Sequence, residues 1–460
     1  MAQNTKNLIG ITGVPFVMVL GNSMLIPVLP AMKGALGLTS LQSSFLITAF
    51  SIAAGLVIPI AGYLSDRFPR KKVIMIALII YGIGGLLAGF AAMWWKNPYP
   101  IILAGRFLQG IGAAGTAPIA MALVGDLFNG SSESKALGLL ETSNGLGKVL
   151  SPIIGSLLGL IAWYMVFLAF PVICCLLLVM FLWLVTEKKK TVEPLPFGAY
   201  KKAVGAVLSK HKQWLWAVFL IGSVCLFTLF GVLYYLSERL EEEFKIEGVL
   251  KGGILAIPLL AMSIMAYLTG IMIKQKLNRM RWFIITGMLL LSASYFAAGF
   301  VKNVYILIGI LTVGSVGSGM ILPCLNSMIT GAVKKSERGM LTSLYNGVRF
   351  IGVAIGPPVF SWLIKISSNV MFMSVAVLAF VSAAVAFFFI KPENMELDAA
   401  SKEQQEAKKK EQDAIRKSLA ILGIEQDGAE MEEQHRSREQ FGFNINEMVD
   451  QLLKQKEKEK

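Results

Sequence analysis

Twelve apolar runs, each of about twenty residues, follow one another before Lys391, centred near residues 19, 54, 83, 112, 149, 174, 225, 260, 291, 319, 352 and 380. A run of that length crosses the hydrocarbon core of a bilayer as an α-helix, where every backbone polar group must find its partner inside the protein. The pattern excludes most soluble architectures and predicts an all-α integral membrane protein with about twelve transmembrane helices. Charged residues make up only 16% of the chain and the mean hydropathy is +0.64. The first run starts near Leu8 and passes through "PVLP" with no small-residue cleavage site, so it reads as a first span and not as a signal peptide.

Charge sets the expected topology. Of the 29 acidic residues, 17 follow Ile390, so the first 390 residues carry 30 Lys and Arg against 12 acids. In a soluble protein that excess suggests nucleic acid. Here the cations sit in short loops between apolar runs, where lipid headgroups explain them, and no nucleic-acid partner is expected. With the N-terminus in the cytoplasm, the inner loops hold Arg67, Arg70, Lys71 and Lys72, then Lys135, seven Lys from Lys188 to Lys212, and Lys274, Lys276, Arg279 and Arg281. The outer loops keep single cations (Lys33, Lys96, Lys302) and the acidic "SERLEEEFKIE". That asymmetry predicts a multi-pass protein of the cell (plasma) membrane with both termini inside.

Four segments follow: a six-helix bundle over 1–186, a cytoplasmic linker over 187–213, a second six-helix bundle over 214–390, and a charged tail over 391–460. In the linker, Tyr200, Val204, Val207 and Leu208 share one helical face, which predicts an amphipathic helix lying along the inner membrane surface. The tail is expected to be mostly disordered with short amphipathic helices such as "NINEMVDQLL", and its partner is unknown. The two bundles echo each other: "ILAGRFLQGIGAAG" superposes on "ILIGILTVGSVGSG" at an offset of 204, with Ile310 in the place of Arg106. Duplicated six-helix halves with Gly and Pro inside the helices point to an alternating-access transporter whose site lies between the halves.

No enzyme chemistry is visible. His211 and His435 fall in predicted cytoplasmic segments, and Cys174, Cys175, Cys225 and Cys324 sit inside apolar runs as small hydrophobes. No metal and no cofactor are expected. A transporter-like sensor with the tail as output module, and a flippase or exporter of an anionic lipid or lipid-linked metabolite, remain as other readings.

Ionisable residues inside a membrane cost about 2.5 kcal/mol or more each, so each calls for a role. Glu141, an acid well within a predicted helix, is the candidate proton carrier, since burial there would favour proton uptake. Lys148 lies seven residues on, hence on nearly the same face. Arg349 holds the similar place in the second half, so a cation from each half is expected at a substrate cleft with Asn22, Asn144, Tyr345 and Asn346. Three embedded cations (Arg106, Lys148, Arg349) against one acid suit an anionic, zwitterionic or neutral amphiphile better than a cationic one. Pro27, Pro30, Gly147, Pro152, Gly155, Gly356 and Pro357 are candidate helix breaks, allowing bending or close packing where the halves rock.

Gly62, Leu64, Asp66, Arg67, Arg70 and Lys71 in "GYLSDRFPRKK" resemble the loop between helices 2 and 3 of the major facilitator superfamily, with Pro69 where that family usually has Gly. "LGNSMLIPVLP", "LAGRFLQGIGAA" and "GKVLSPIIGS" resemble further motifs of its twelve-helix drug:proton antiporter branch, in the same order. The resemblance covers about residues 8–390. It implies a proton-coupled efflux antiporter of small amphiphilic compounds, working as a monomer among membrane lipids. It also implies a gating latch of Asp66 and Arg70 with Asp126, flanked by Gly62, Arg67 and Lys71, with Asp66 facing the start of helix 11. Arg106, with Asp126, is implied in proton coupling.

Overall fold

The computed structural model describes residues 2–128, 131–187, 197–210, 212–273, 276–331 and 335–391. The expectations for the tail beyond Lys391 lie outside these. The described chain forms α1 (Ala2–Ser23), a 3-10 turn (Ile26–Val28), α2 (Leu29–Leu36), α3 (Ser40–Arg67), α4 (Arg70–Trp94), α5 (Tyr99–Ala114), α6 (Ala117–Leu127), α7 (Ser131–Gly159) and α8 (Met165–Leu184). It continues with α9 (Phe197–Lys210), α10 (Lys212–Glu242), α11 (Gly248–Ile273), α12 (Leu277–Ala298), α13 (Val304–Gly331), α14 (Lys335–Ile366) and α15 (Ser368–Phe389). Among the described residues 11 spans are long and apolar enough to cross a membrane, α1–α2 and α5–α6 each counting as one. Helix α7 has the length, but it carries Glu133, Lys135, Glu141 and Lys148. The long helix left out of that set is therefore the one that holds Glu141 and Lys148.

Packing repeats between the halves. In the first, α3 packs on α5, α4 on α5 and α8, and α1 on α7 and α8. In the second, α11 packs on α13, α12 on α13 and α15, and α10 on α14 and α15. Each pairing in one half has its counterpart in the other, so the molecule is two pseudo-symmetric six-helix bundles. The repeated glycine-rich segments fall on α5–α6 and α13, the matching elements.

Two crossings join the halves: α3 against α14, and α7 against α11. Small residues make both possible. A Cβ on Gly55 would lie 2.9 Å from the Gly347 carbonyl, and Thr48 Oγ1 donates to the Ala354 carbonyl at 2.6 Å. At the second crossing a Cβ on Gly252 would lie 2.6 Å from the Pro152 carbonyl.

The expected helix breaks divide. Around Pro27 and Pro30 the chain leaves the α-helix: Leu25 N–H turns to the Asn22 carbonyl at 3.2 Å and the 3-10 turn follows. Pro30 has no N–H with which to bond the Ile26 carbonyl four residues back. By contrast α7 and α14 run unbroken through Gly147, Pro152, Gly155, Gly356 and Pro357. Those positions are close contacts, not breaks: a Cβ on Gly155 would collide with the Met24 carbonyl, and one on Gly356 would lie 2.6 Å from the Phe227 carbonyl. A further break, unforeseen in the sequence, separates α5 from α6 at Gly115 and Thr116.

The acidic "SERLEEEFKIE" also moves. Ser237 to Glu242 are the last turns of α10 and not an outer loop. Glu238 is only 8% exposed, so Glu141 is not the sole carboxylate within a long helix.

Candidate functional site

Two faces of the bundle matter. One carries the start of α1 and the α3–α4 turn, here called the N-terminal face. The far face carries the α2–α3 and α10–α11 turns.

On the N-terminal face Arg70 gathers the latch. Its Nε lies 2.7 Å from Asp126 Oδ2 at the end of α6, and its Nη2 lies 3.3 Å from Asp66 Oδ1. Asp66 and Asp126 remain 45% and 39% exposed, so each pair is worth little alone. Glu187, just beyond α8, was not singled out from the sequence, where it reads as the first residue of a charged linker. Its two carboxylate oxygens accept from Arg70 N and Lys71 N, each at 2.9 Å. They supply the cap that Pro69 cannot give to α4, whose N-terminus favours a negative charge. Lys71 Nζ donates to the Leu182 and Val185 carbonyls at 3.0 and 2.5 Å, closing the clasp between α4 and α8. Arg67 is exposed and its Nη1 donates to Tyr63 OH at 3.2 Å. Tyr63 packs on Tyr200 of α9 with ring centroids 4.9 Å apart, so the linker helix docks beside the latch. Burial and the nearby Asp66 push the Tyr200 phenol up to about 12. Gly62 sits where a Cβ would lie 2.5 Å from Ser343 Oγ of α14. The side chains of the first turn of α14, toward which Asp66 was expected to point, are outside the described residues.

Arg106 is fully buried. Its Nε donates to the Leu46 carbonyl at 3.0 Å, Nη1 to the Gly21 carbonyl at 2.8 Å and Gln109 Oε1 at 2.9 Å, and Nη2 to Asn22 Oδ1 at 2.6 Å. The Phe50 ring covers the guanidinium at 4.6 Å. The Gly21 carbonyl is free to accept because Leu25 N–H has turned away at the helix break. Arg106 thus ties α1, α3 and α5 within one half. Asn22, expected at the cleft, is 3% exposed and belongs to this network, its Nδ2 donating to Ser51 Oγ at 2.8 Å.

The two cations expected at the cleft stand on α7 and α14, near enough to feel each other's charge. Along α7 the exposed leucines 139, 146, 150 and 157 mark one face. At about 100° per residue, Glu141 and Lys148 fall on the opposite side, toward the second half. Glu141 is exposed, contrary to the burial expected of it, because this side of α7 opens into the space between the halves. Lys148 is partly buried and feels the charges of both Glu141 and Arg349. Its ammonium makes no hydrogen bond or ion pair among the described residues. Arg349 is held in place: Nη1 donates to Asn326 Oδ1 at 3.3 Å and Asn346 Oδ1 at 3.2 Å, and the guanidinium lies 5.1 Å from the Tyr345 ring. Tyr345 is 1% exposed. Its hydroxyl, Arg349 Nε and Asn144 Oδ1 find no hydrogen-bond partner among the described residues. These helices therefore bring an ammonium from one half and an oriented guanidinium from the other, with no carboxylate bonded to either among the described residues.

The sequence profile of the Major Facilitator Superfamily matches residues 11–282 and 239–424. The chain belongs to the major facilitator superfamily. Its members are transporters and not enzymes, and the twelve-span, two-bundle fold is theirs. The chain is 45% identical over 393 residues to the bacillibactin exporter of Bacillus subtilis (strain 168), covering 85% of this chain and 98% of that one. It is 25% identical to the class C tetracycline resistance protein of Escherichia coli over 77% of this chain and 89% of the relative. The solved structure of a bacterial homologue of the human lysosomal transporter Spinster, inward-facing and unoccupied, superposes with a TM-score of 0.68 at 16% identity, covering 85% of this chain and 98% of that one. That likeness establishes the major facilitator fold. Exporters stand among the relatives, and the chain is a multi-pass membrane transporter.

Proposed function

We propose that this protein exports a small amphiphilic compound across the cell membrane by proton-coupled alternating access, with both termini in the cytoplasm. The 45% identical relative is a bacillibactin exporter, which makes bacillibactin the first compound to test. The observation that carries the reading is the Lys148 ammonium, which stands in the field of Arg349 with no acceptor among the described residues. A desolvated cation that the protein leaves unpaired needs a counter-charge or a strong acceptor from elsewhere, and a ligand in the cleft supplies it. Arg349, pre-oriented by Asn326 and Asn346, offers the second contact from the opposite half. A ligand held by both helices couples its own binding to the approach of the halves. Glu141, on the same open face of α7, takes up and releases the coupling proton.

The test is a proteoliposome assay of substrate-induced proton movement with bacillibactin and with neutral, anionic and cationic amphiphiles side by side. Proton-driven transport is expected with the neutral compounds, movement of the anionic ones is expected to follow the membrane potential, and the cationic ones are expected not to move. Glu141→Gln should abolish accumulation against a gradient while leaving downhill exchange of bound substrate. A Glu141→Gln protein that still accumulates substrate under a pH difference removes Glu141 from the mechanism.

A further inference from the structure

The far face is shut by a polar seam that the transport reading above does not use. The last turns of α10, from the second half, reach across to the first half at the helix break and at the start of α3. Ser237 Oγ donates to the Ile26 carbonyl at 2.8 Å. That carbonyl already accepts from Leu29 N–H in the 3-10 turn, and because Pro30 has no N–H to add, its second lone pair is left for Ser237. One turn earlier, Tyr234 OH lies 2.7 Å from the Ser40 carbonyl and 2.9 Å from Ser43 Oγ. Lys33 Nζ of α2 lies 3.2 Å from Glu238 Oε1 and 2.7 Å from Glu242 Oε1, and Glu238 Oε1 also accepts from Tyr234 OH at 2.9 Å. Residues 234, 237, 238 and 242 recur every three or four positions, so they form one edge of α10.

Four other charges of this region pair within the second half. Arg239 pairs with Glu243 at 2.9 Å, and Lys251 pairs with Glu241. Among the described residues, Lys33 with Glu238 and Glu242 forms the ion pairs of this face that cross between the halves. A transporter of this fold must part its halves on this face to release a ligand there, and every contact of the seam then breaks.

We infer that Lys33, Ser237 and Glu238, with the Ile26 carbonyl at the Pro27–Pro30 break, are the far-face gate. Among the described residues, Arg70 pairs with Asp66 and Asp126 inside the first half. The seam instead spans the two halves, so it acts directly on the equilibrium between far-face-closed and far-face-open states. The proposal depends on neither the substrate nor the proton site.

The test is hydrogen–deuterium exchange of the full chain in lipid nanodiscs, without substrate. Lys33→Glu places three acids together and should raise exchange in segments 24–44 and 230–246 roughly tenfold, the factor that about 1.4 kcal/mol represents. Exchange in 136–150 and 340–352, which flank the cleft from the N-terminal face, should fall as that face closes. The exchanged pair, Lys33→Glu with Glu238→Lys, should return both regions toward the parent. Ser237→Ala should act in the same direction and more weakly. If Lys33→Glu loosens every helix alike, Ser237→Ala decides the matter by itself. Unchanged exchange at 24–44 in Ser237→Ala, or in a folded Lys33→Glu protein, overturns the gate.

Discussion

Replacing Lys148 by Met removes an ammonium and keeps most of the stem. The structure predicts that the fold tolerates this, since Lys148 makes no protein hydrogen bond and stands within the field of Arg349, a like charge. Thermal stability should hold or rise. A bound anion loses one partly desolvated, charge-assisted contact, about 1.5 to 3 kcal/mol, which is roughly a 10- to 150-fold loss of affinity. Arg349 keeps its orientation from Asn326 and Asn346, so the second contact survives and binding weakens without vanishing. Neutral amphiphiles of the same size should change little, and Lys148→Arg should keep most of the anion affinity. Calorimetric titration of matched anionic and neutral compounds into the nanodisc-held protein reads all of this. Equal loss for both classes would show that Lys148 acts through Glu141 or through packing, and the ligand-contact reasoning would be refuted.

Asp126→Asn should shift the population of states by only roughly two- to fivefold, because the carboxylate is part-exposed and Asp66 still holds Arg70; spin-label distances across the N-terminal face that stay fixed would remove it from the latch. Glu187→Gln should lose about 1 kcal/mol of capping and expose the Arg70 and Lys71 amides to exchange, and continued protection of both would show that the cap is not needed. Gly155→Val should force α7 off α1 at the Met24 carbonyl and cost about 1 to 3 kcal/mol, read as a lowered melting temperature in detergent; an unchanged value would mean the helices part freely there.

The spans were legible because length and apolarity decide them without reference to tertiary contacts. Packing decided the rest. Glu238 was hidden because "SERLEEE" looks like a loop from outside, whereas α10 extends through it and Lys33 pairs with it from 205 residues away. Glu187 was hidden for the same reason: a carboxylate that caps a helix 116 residues earlier leaves no local pattern. Pro152 and Pro357 suggested breaks that did not form. A proline costs a helix one hydrogen bond, and α7 and α14 keep their course because α1 and α10 pack tightly against the glycines beside them. Arg106 and Asn22 are both buried where the sequence placed one in proton transfer and the other in the cleft. Their partners are carbonyls and amides, which no count of ionisable residues reveals.

The arrangement on α7 also fixes the sign of the coupling. Glu141 and Lys148 share one face, and Lys148 feels the Glu141 charge. Protonating Glu141 removes that negative charge and leaves Lys148 and Arg349 more attractive to an anion. By reciprocity, a bound anion raises the affinity of Glu141 for its proton. Antiport needs the reverse, a proton and a substrate that exclude each other. Through Glu141 a proton gradient can therefore expel a compound that competes for the carboxylate, such as a neutral amphiphile donating a hydrogen bond to it. An anion gains nothing from that competition, and its outward drive is the membrane potential, about 2.3 kcal/mol per charge at 100 mV, or roughly a 50-fold gradient. In proteoliposomes with a potassium diffusion potential and no pH difference, flux of an anionic substrate toward the positive compartment should rise with the potential, while a neutral one should respond to the pH difference alone. An anionic substrate driven by the pH difference and indifferent to the potential would place proton–substrate competition somewhere other than Glu141, and the assignment of that residue as carrier would fall.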